Sequence, residues 1–512
     1  MTHKLVLDGE TLDPQMAWSF SRAALNPGTQ FKIEILPAAL QRIQKASEYV
    51  TEVARGSKAV YGINTGFGKF AEVAISADKL DTLQRNLILS HACGVGPDLG
   101  RDITMAMWVL RLNTFCRGNS GVKPETVAAI IRCIEAGVLP IIPSRGSVGA
   151  SGDLAPSAHA TLLLIGEGEA SIPDGKGFKK VAASEALAKV GIKALKLGPK
   201  EGLSLINGTQ LTTALAIKTW SEGMNLVQHA NLALAMSLEG LRASHSVFSE
   251  KILLARRHPG ALACGQDVAE WIGGDTEIST SHADCGQVQD PYSLRCAPQV
   301  HGCVWDELQR ATQVLKDEIN SSTDNPLLFP EDQSSVSGGN FHAIFTARVS
   351  DTLAASLTVL GSISERRIAL AMSPKSSRLP AFLTKDGGLN SGFMMAQVTA
   401  AALVSEAKAL SHPASVDSIP TSDDREDHVS MGPAAGLKAV QIAENIRGVI
   451  AIELMSAAQA LDLLAPLKSS ARIQSALKMI RARVPTLEND RILSRDIESL
   501  SNLIQNQELT SL

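Results

Sequence analysis

The stretch Thr209–Leu241 reads TQLTTALAIKTWSEGMNLVQHANLALAMSLEGL. It contains no proline, and its apolar residues recur at three- and four-residue spacing, the period of one helix face. About 30 residues in this conformation span roughly 45 Å. Phe345–Met372, Phe393–Ser411 and Pro433–Leu464 repeat the pattern. Several helices this long in one chain imply a bundle. Their alanine-rich faces suit close packing, within a subunit or between subunits.

Outside these helices the chain changes character. Its start holds short strand-like pieces such as KLVLDG and KAVYGINTGFGKF, with a helical stretch at Lys79–Ala92. Glu169–Gly202 is rich in Gly and Lys (IPDGKGFKK, LGPKEG) and reads as a surface excursion near a domain boundary. The expected organisation is mainly α: an N-terminal domain over residues 1–208, then a long-helix bundle and C-terminal helical region over 209–512. A hydrophobic content of 45% with only 4% aromatics requires an aliphatic core, which suits helices.

Composition also excludes. With 48 basic and 52 acidic residues the net charge is −4, so a strongly basic nucleic-acid surface is not the organising feature. The apolar segment Val449–Leu467 carries Glu453 and Asp462, which argues against a membrane span. The opening MTHKLVLDGETLDP lacks a basic segment followed by a long apolar run, so no signal peptide is expected. Seven cysteines without a CxxC pair fit a reducing cytoplasm. There is no HExxH and no Cys/His cluster at ligand spacing, and the 11 histidines are dispersed, so no metal is expected.

The chemistry concentrates in GSVGASGDLAPSAH, Gly146–His159. No lysine follows the glycines, as a phosphate loop needs, and the spacing is not GxGxxG. A nucleophile elbow needs GxSxG, but Asp153 stands where its second glycine belongs. A tight turn is the plain reading. The chemical alternative uses the small residues Ala150, Ser151 and Gly152. In a sharply bent Ala-Ser-Gly, the Gly152 amide nitrogen can attack the Ala150 carbonyl, because glycine imposes least steric cost. Loss of water from the ring and from the Ser151 side chain leaves an imidazolone with an exocyclic methylidene. That is an electrophile made from the chain itself, where side chains ordinarily supply nucleophiles, acids and bases.

GSVGASGDLAPSAH resembles the signature of the aromatic amino acid ammonia-lyases, which carry this methylidene-imidazolone (MIO) group. Further matching stretches run in family order: YGINTGFG (Tyr61–Gly68), LSHACGVG (Leu89–Gly96), INGTQ (Ile206–Gln210), QDPYSLRC (Gln289–Cys296), TDNPL (Thr323–Leu327), GGNFHA (Gly338–Ala343), NSGFMMAQVTAAAL (Asn390–Leu403) and EDHVSM (Glu426–Met431). The resemblance implies the mainly helical fumarase/aspartase-like fold and a homotetramer whose active sites draw on several subunits. It implies no external cofactor, since the MIO group forms autocatalytically from Ala150, Ser151 and Gly152.

It also implies roles. Tyr61 matches the catalytic base. A phenol near pKa 10 needs its phenolate stabilised to serve at neutral pH, and a glycine-rich surrounding suits a mobile lid. Arg295 matches the residue that holds the substrate carboxylate, a planar fork suited to a two-pronged contact. Tyr292 matches the tyrosine near the amino group. Asn207 and Gln289 match polar groups around the ring and substrate, and Phe341 the aromatic beside the MIO. Ser90-His91 stands where relatives separate imidazole from phenyl and phenol substrates. Tyrosine lyases resemble His-Leu there and phenylalanine lyases Phe-Leu. His91 and Glu426 therefore point to an imidazole, hence to L-histidine as substrate with trans-urocanate and ammonia as products.

Other readings remain open at this point: a tyrosine or phenylalanine ammonia-lyase, a 2,3-aminomutase on the same electrophile, and an inactive relative. The sequence also departs from the family. Asp423-Asp424-Arg425 stands where Ala-Asn-Gln is expected, and Ile344-Phe345 where a Glu-Pro-like pair is common; Ala297 and His301 are also unusual. Arg425 adjoins Glu426 and either neutralises it or turns it away. His428 has no assigned role.

Overall fold

A computed structural model describes residues 2–56, 60, 62–65, 75–286 and 288–511. It is mainly helical, and its contacts divide it into two compact units. The first comprises Met1–Lys218, Thr312–Ser350 and Pro413–Leu437; the second comprises Thr219–Ala311, Asp351–His412 and Lys438–Leu512. The chain therefore leaves the first unit at Lys218 and twice returns to it, rather than running on as one block from residue 209.

The long helices stand where the periodicity places them: Gln210–Gly240, Ile344–Met372, Met394–Leu410 and Gly432–Leu463. A further long helix, Ala297–Ile319, was not singled out by that pattern. Its apolar residues occupy one face only, with His301, Leu308 and Leu315 buried while Cys303, Arg310 and Lys316 are exposed. In the second unit the small residues bring helices together closely. A Cβ on Gly260, in helix Pro259–Ile272, would lie 2.0 Å from the Gly302 carbonyl oxygen. Only a glycine pair permits that approach.

In the first unit, helix Arg101–Cys116 is buried along almost its whole length. A helix that is apolar all round must sit inside, and its polar members Arg111 and Asn113 then need internal partners. Helices Pro14–Arg22, Pro37–Arg55 and Pro124–Glu135 pack against it, while Leu80–His91, Leu154–Leu164 and Glu201–Ile206 pack on one another. Strands Thr2–Leu7 and Gln30–Ile35 pair in parallel, Thr2 opposite Gln30. The Glu169–Gly202 region is not simply a surface excursion. Its start forms a hairpin, Glu169–Asp174 against Gly177–Ala182, which joins Leu139–Pro140 in a three-stranded sheet. The Asp174-Gly175 step supplies the left-handed turn residue a two-residue hairpin needs, with Gly175 at φ 61°. Among the described residues no helix is long and apolar enough to cross a membrane, and no cluster of three or more His, Cys, Asp or Glu could hold a metal ion.

Candidate active site

The Gly146–Asp153 loop is bent by left-handed residues: Gly146 at φ 136°, Gly149 at 77°, Ser151 at 50° and Gly152 at 78°. A serine in this region is uncommon and strained. Gly152 is held chiefly by backbone, with Ser147 Oγ also donating to its carbonyl at 3.4 Å. It bridges Gly208, and a Cβ on it would meet the Gly208 carbonyl oxygen at 2.2 Å. The Asp153 amide donates to that same oxygen at 2.7 Å. On the other side Met431 N–H donates to the Val148 carbonyl at 2.9 Å, and Val148 and Ala150 pack against Ala347, Ala414, Val429, Met431 and Ala435. The glycines of LSHACGVG and GSVGASG serve each other. Gly94 Cα lies 2.9 Å from a Cβ built on Gly146, and Gly94 N–H donates to His159 Nε2 at 3.0 Å.

Ser151 Oγ donates to Glu426 Oε1 at 2.8 Å, although the two residues are 275 apart in sequence. The other carboxylate oxygen accepts from Thr421 Oγ1 at 2.9 Å and from Ser422 Oγ. Glu426 is thus aimed by side chains of its own turn. Arg425 beside it is exposed, and the carboxylate accepts from these three hydroxyls. His91 ends helix Leu80–His91. Its Nδ1 lies 2.8 Å from the Leu87 carbonyl oxygen, which can only accept, so Nδ1 carries the proton. Burial holds the His91 pKa below its ordinary value, against the Leu87 bond and the Glu426 charge, which raise it. A neutral ring in this tautomer presents Nε2 as an acceptor.

Asn207 caps helix Glu201–Ile206 and is buried, and its Oδ1 has no hydrogen-bond partner. A buried unpaired acceptor costs about 1–3 kcal/mol, so this atom is available to a donor that binds here. Its backbone is fixed from beneath. Arg111, fully enclosed, donates to the Asn207 and Ser204 carbonyls, and burial lowers its pKa to about 10. Lys200 and Asp324, both with 0% side-chain exposure, pair at 2.8 Å in the same layer, and Asn207 Nδ2 reaches the Asn325 carbonyl at 3.4 Å. Phe341 is half-buried beside His342, whose ring stacks on that of His428 at 5.9 Å.

The remaining assigned residues lie in the second unit. Helix Tyr292–Arg295 places the Arg295 guanidinium carbon 4.7 Å from the Tyr292 ring centroid. Arg295 Nε is buried and has no partner. Gln289 is exposed and lines a cavity of about 450 Å³ with Arg242, His245 and His282. Tyr61 lies outside the described residues.

The family described as "Aromatic amino acid lyase" matches residues 20–482. The chain belongs to it. A histidine ammonia-lyase of Stigmatella aurantiaca is 48% identical over 506 residues, 99% of this chain and 97% of the relative. One from Myxococcus xanthus is 46% identical over 509 residues, 99% and 97% of the two chains. Among solved structures, histidine ammonia-lyase from Trypanosoma cruzi has a TM-score of 0.90 at 40% identity, covering 99% of this chain and 94% of that one. A tyrosine aminomutase from Streptomyces globisporus has a TM-score of 0.90 at 33% identity, covering 99% and 97%.

Aromatic amino acid lyases use an MIO group, and the geometry of the Ala150–Gly152 triplet would fit its formation. The loop is already bent left-handed, Gly152 is the one residue its cradle admits, and Asn207 Oδ1 is unspent. Sequence reading missed the buried groups that support this loop. Asp153 is fully buried and accepts from Thr212 N–H at 2.8 Å and Thr212 Oγ1 at 2.9 Å. Burial pushes its carboxyl up to about 6 despite those bonds. The only signal was its place as the first charge after a bare glycine run. Arg111, Lys200 and Asp324 gave less signal still, since an isolated charge reads as surface.

Proposed function

We propose that this chain eliminates ammonia from L-histidine to give trans-urocanate. The observation that carries this is the Ser151–Glu426 contact at 2.8 Å, with His91 close enough to feel the Glu426 charge. Two acceptors, His91 Nε2 and the Glu426 carboxylate, then line the substrate-ring end of the site. Once the Ser151 hydroxyl has left as water, Glu426 Oε1 is released to accept a ring N–H. A neutral imidazole can donate its one N–H to one of these acceptors, and an imidazolium can donate to both. A phenyl ring leaves both unpaired, at about 1–3 kcal/mol each.

When formed from Ala150, Ser151 and Gly152, the MIO group supplies an electrophile that makes the substrate amine a better leaving group. The other tasks fall to side chains. Arg295 holds the substrate carboxylate through its two-pronged face, and its unpartnered Nε is consistent with a ligand-binding fork. Tyr61 takes the β-proton. The Cβ–H and Cα–N bonds break, the Cα=Cβ bond forms, and ammonia departs. Tyr292 stands near the amino group, Asn207 and Gln289 orient the ring system, and Phe341 covers it. We further propose a homotetramer with shared active sites, in the cytoplasm. Tyr292 at 70% exposure, Met395 at 61% and Phe345 at 66% favour assembly, and the cysteines, none of them in a disulfide, favour a reducing compartment.

The test is product identity with purified protein and L-histidine, L-tyrosine or L-phenylalanine. Urocanate from histidine is expected, with no β-amino acid. Ser151→Ala should abolish the reaction, and its intact mass should lack the loss of two waters seen in the wild type. Equal release of cinnamate from phenylalanine would refute the assignment of histidine.

A further inference from the structure

A second buried polar network lies within the second unit, and none of its side chains has a role above. Its centre is Arg367, 1% exposed on helix Ile344–Met372. Its Nε and Nη2 grip both oxygens of Glu453, the latter bond at 2.9 Å. Glu453 is itself fully buried and also accepts from Ser237 Oγ at 2.9 Å and from Ser364 Oγ. That leaves Nη1, which has two neighbours: the Ser293 carbonyl oxygen at 3.3 Å and His301 Nε2 at 3.4 Å.

The chemistry of these partners fixes every direction. A guanidinium only donates, so His301 Nε2 is an acceptor and its proton sits on Nδ1. Nδ1 then donates to Asn231 Oδ1 at 2.7 Å, and Asn231 Nδ2 donates to Asp267 Oδ2 at 2.8 Å. A protonated His301 would set two cations face to face in a dry site. Burial, reinforced by Arg367, holds the His301 pKa well below its ordinary value.

The Ser293 carbonyl belongs to helix Tyr292–Arg295, a single turn with no side-chain cap. Its local backbone bonds are few, from Leu294 and Arg295 N–H to the Pro291 carbonyl and from Cys296 N–H to the Tyr292 carbonyl, so contacts from other elements contribute to its orientation. We propose that Arg367 is a positioning residue for the reaction: its bond to the Ser293 carbonyl sets the orientation of the Tyr292–Arg295 turn, and His301 sets the orientation of Arg367. This rests on the reading of Arg295 as the ligand of the substrate carboxylate. A displacement of about 1 Å in such a group costs up to roughly a hundredfold in rate or affinity.

The experiment uses the full chain and two competitive inhibitors, 3-(imidazol-4-yl)propionate and its carboxamide. The ratio of their inhibition constants reports how well the carboxylate is held. Arg295→Met is the control and should collapse the ratio. His301→Leu removes both hydrogen bonds of the ring, and Arg367→Lys cannot grip Glu453 and reach Ser293 together. Each should lower the ratio and raise KM for L-histidine about tenfold, with kcat changed less. His301→Gln, which keeps one acceptor and one donor, should restore the ratio even where Arg367→Lys fails to fold. If Arg295→Met collapses the ratio while His301→Leu retains it, with a lowered melting temperature, the network is merely structural and the proposal is overturned. If Arg295→Met itself leaves the ratio unchanged, the carboxylate reading fails and takes the proposal with it.

Discussion

The Gly146–Asp153 loop and the Thr421–Glu426 turn both bring left-handed backbone to the Ser151 hydroxyl, for opposite reasons. In the loop the conformation is demanded by lack of room, since a Cβ on Gly152 would overlap the Gly208 carbonyl. In the turn three consecutive side-chain-bearing residues, Ser422, Asp423 and Asp424, sit at φ 55°, 57° and 61° with their side chains exposed. Left-handed backbone costs an L-residue roughly 1–2 kcal/mol, less for Asp. Here the return is the aim of Glu426, held by Thr421 and Ser422. Exclusion of side chains makes the loop rigid and intolerant. Side-chain hydrogen bonds make the turn adjustable. The loop should therefore decide whether the reaction occurs, and the turn how well the substrate is chosen.

Substitutions can break or sharpen that contrast. The largest effect should come from Gly152→Ala: the backbone must move, and histidine turnover should fall at least about a hundredfold. Intact mass should show both waters retained; a normal mass and rate would mean the cradle yields easily. Glu426→Gln should come next. It turns one accepting oxygen into a donor that faces donors, worth about 1–3 kcal/mol or roughly five- to a hundredfold in kcat/KM for histidine. Thr421→Val removes one of the three hydroxyl bonds to Glu426 and should cost about 1 kcal/mol, close to fivefold in the same measurement. An unchanged value would show that Ser422 alone aims the carboxylate. The smallest effect is expected at Asp424→Gly, which relieves one left-handed side chain. Thermal unfolding should show a gain of about 0.5 kcal/mol, with activity unaltered. A loss of stability there would mean that the Asp424 side chain contributes to the turn.

Much of this was legible in one dimension. The long helices announce themselves as proline-free, Ala/Leu-rich runs, and Gln210–Gly240 is buried almost all round. Helix Ala297–Ile319 carries a clear one-face pattern but not the Ala/Leu-rich composition of the other long helices, because its solvent face is richly polar. The Asp174–Gly177 hairpin was hidden in a stretch whose glycines and lysines read as loop, although a glycine in the first of two turn positions, Gly175-Lys176, is itself a hairpin signal. Ser151, His91, Asn207, Arg295 and Glu426 stood out by motif. Arg111, Lys200, Arg367 and Glu453 did not, because nothing in their neighbours says that these charges are buried.

By itself the sequence determined what is local: helix periods, the bare Ala150-Ser151-Gly152 triplet that can close on itself, and the residue types able to meet an amino acid substrate. Helical hydrogen bonds and the triplet's ring closure involve atoms a few residues apart, so composition and spacing suffice for them. Only the tertiary structure decided that Glu426 meets Ser151 across 275 residues, that Asp153 is buried enough to titrate at about 6, and that His301 must carry its proton on Nδ1. A hydrogen-bond direction or a pKa depends on which groups replace water around an atom, and those groups arrive from distant parts of the chain only when it has folded.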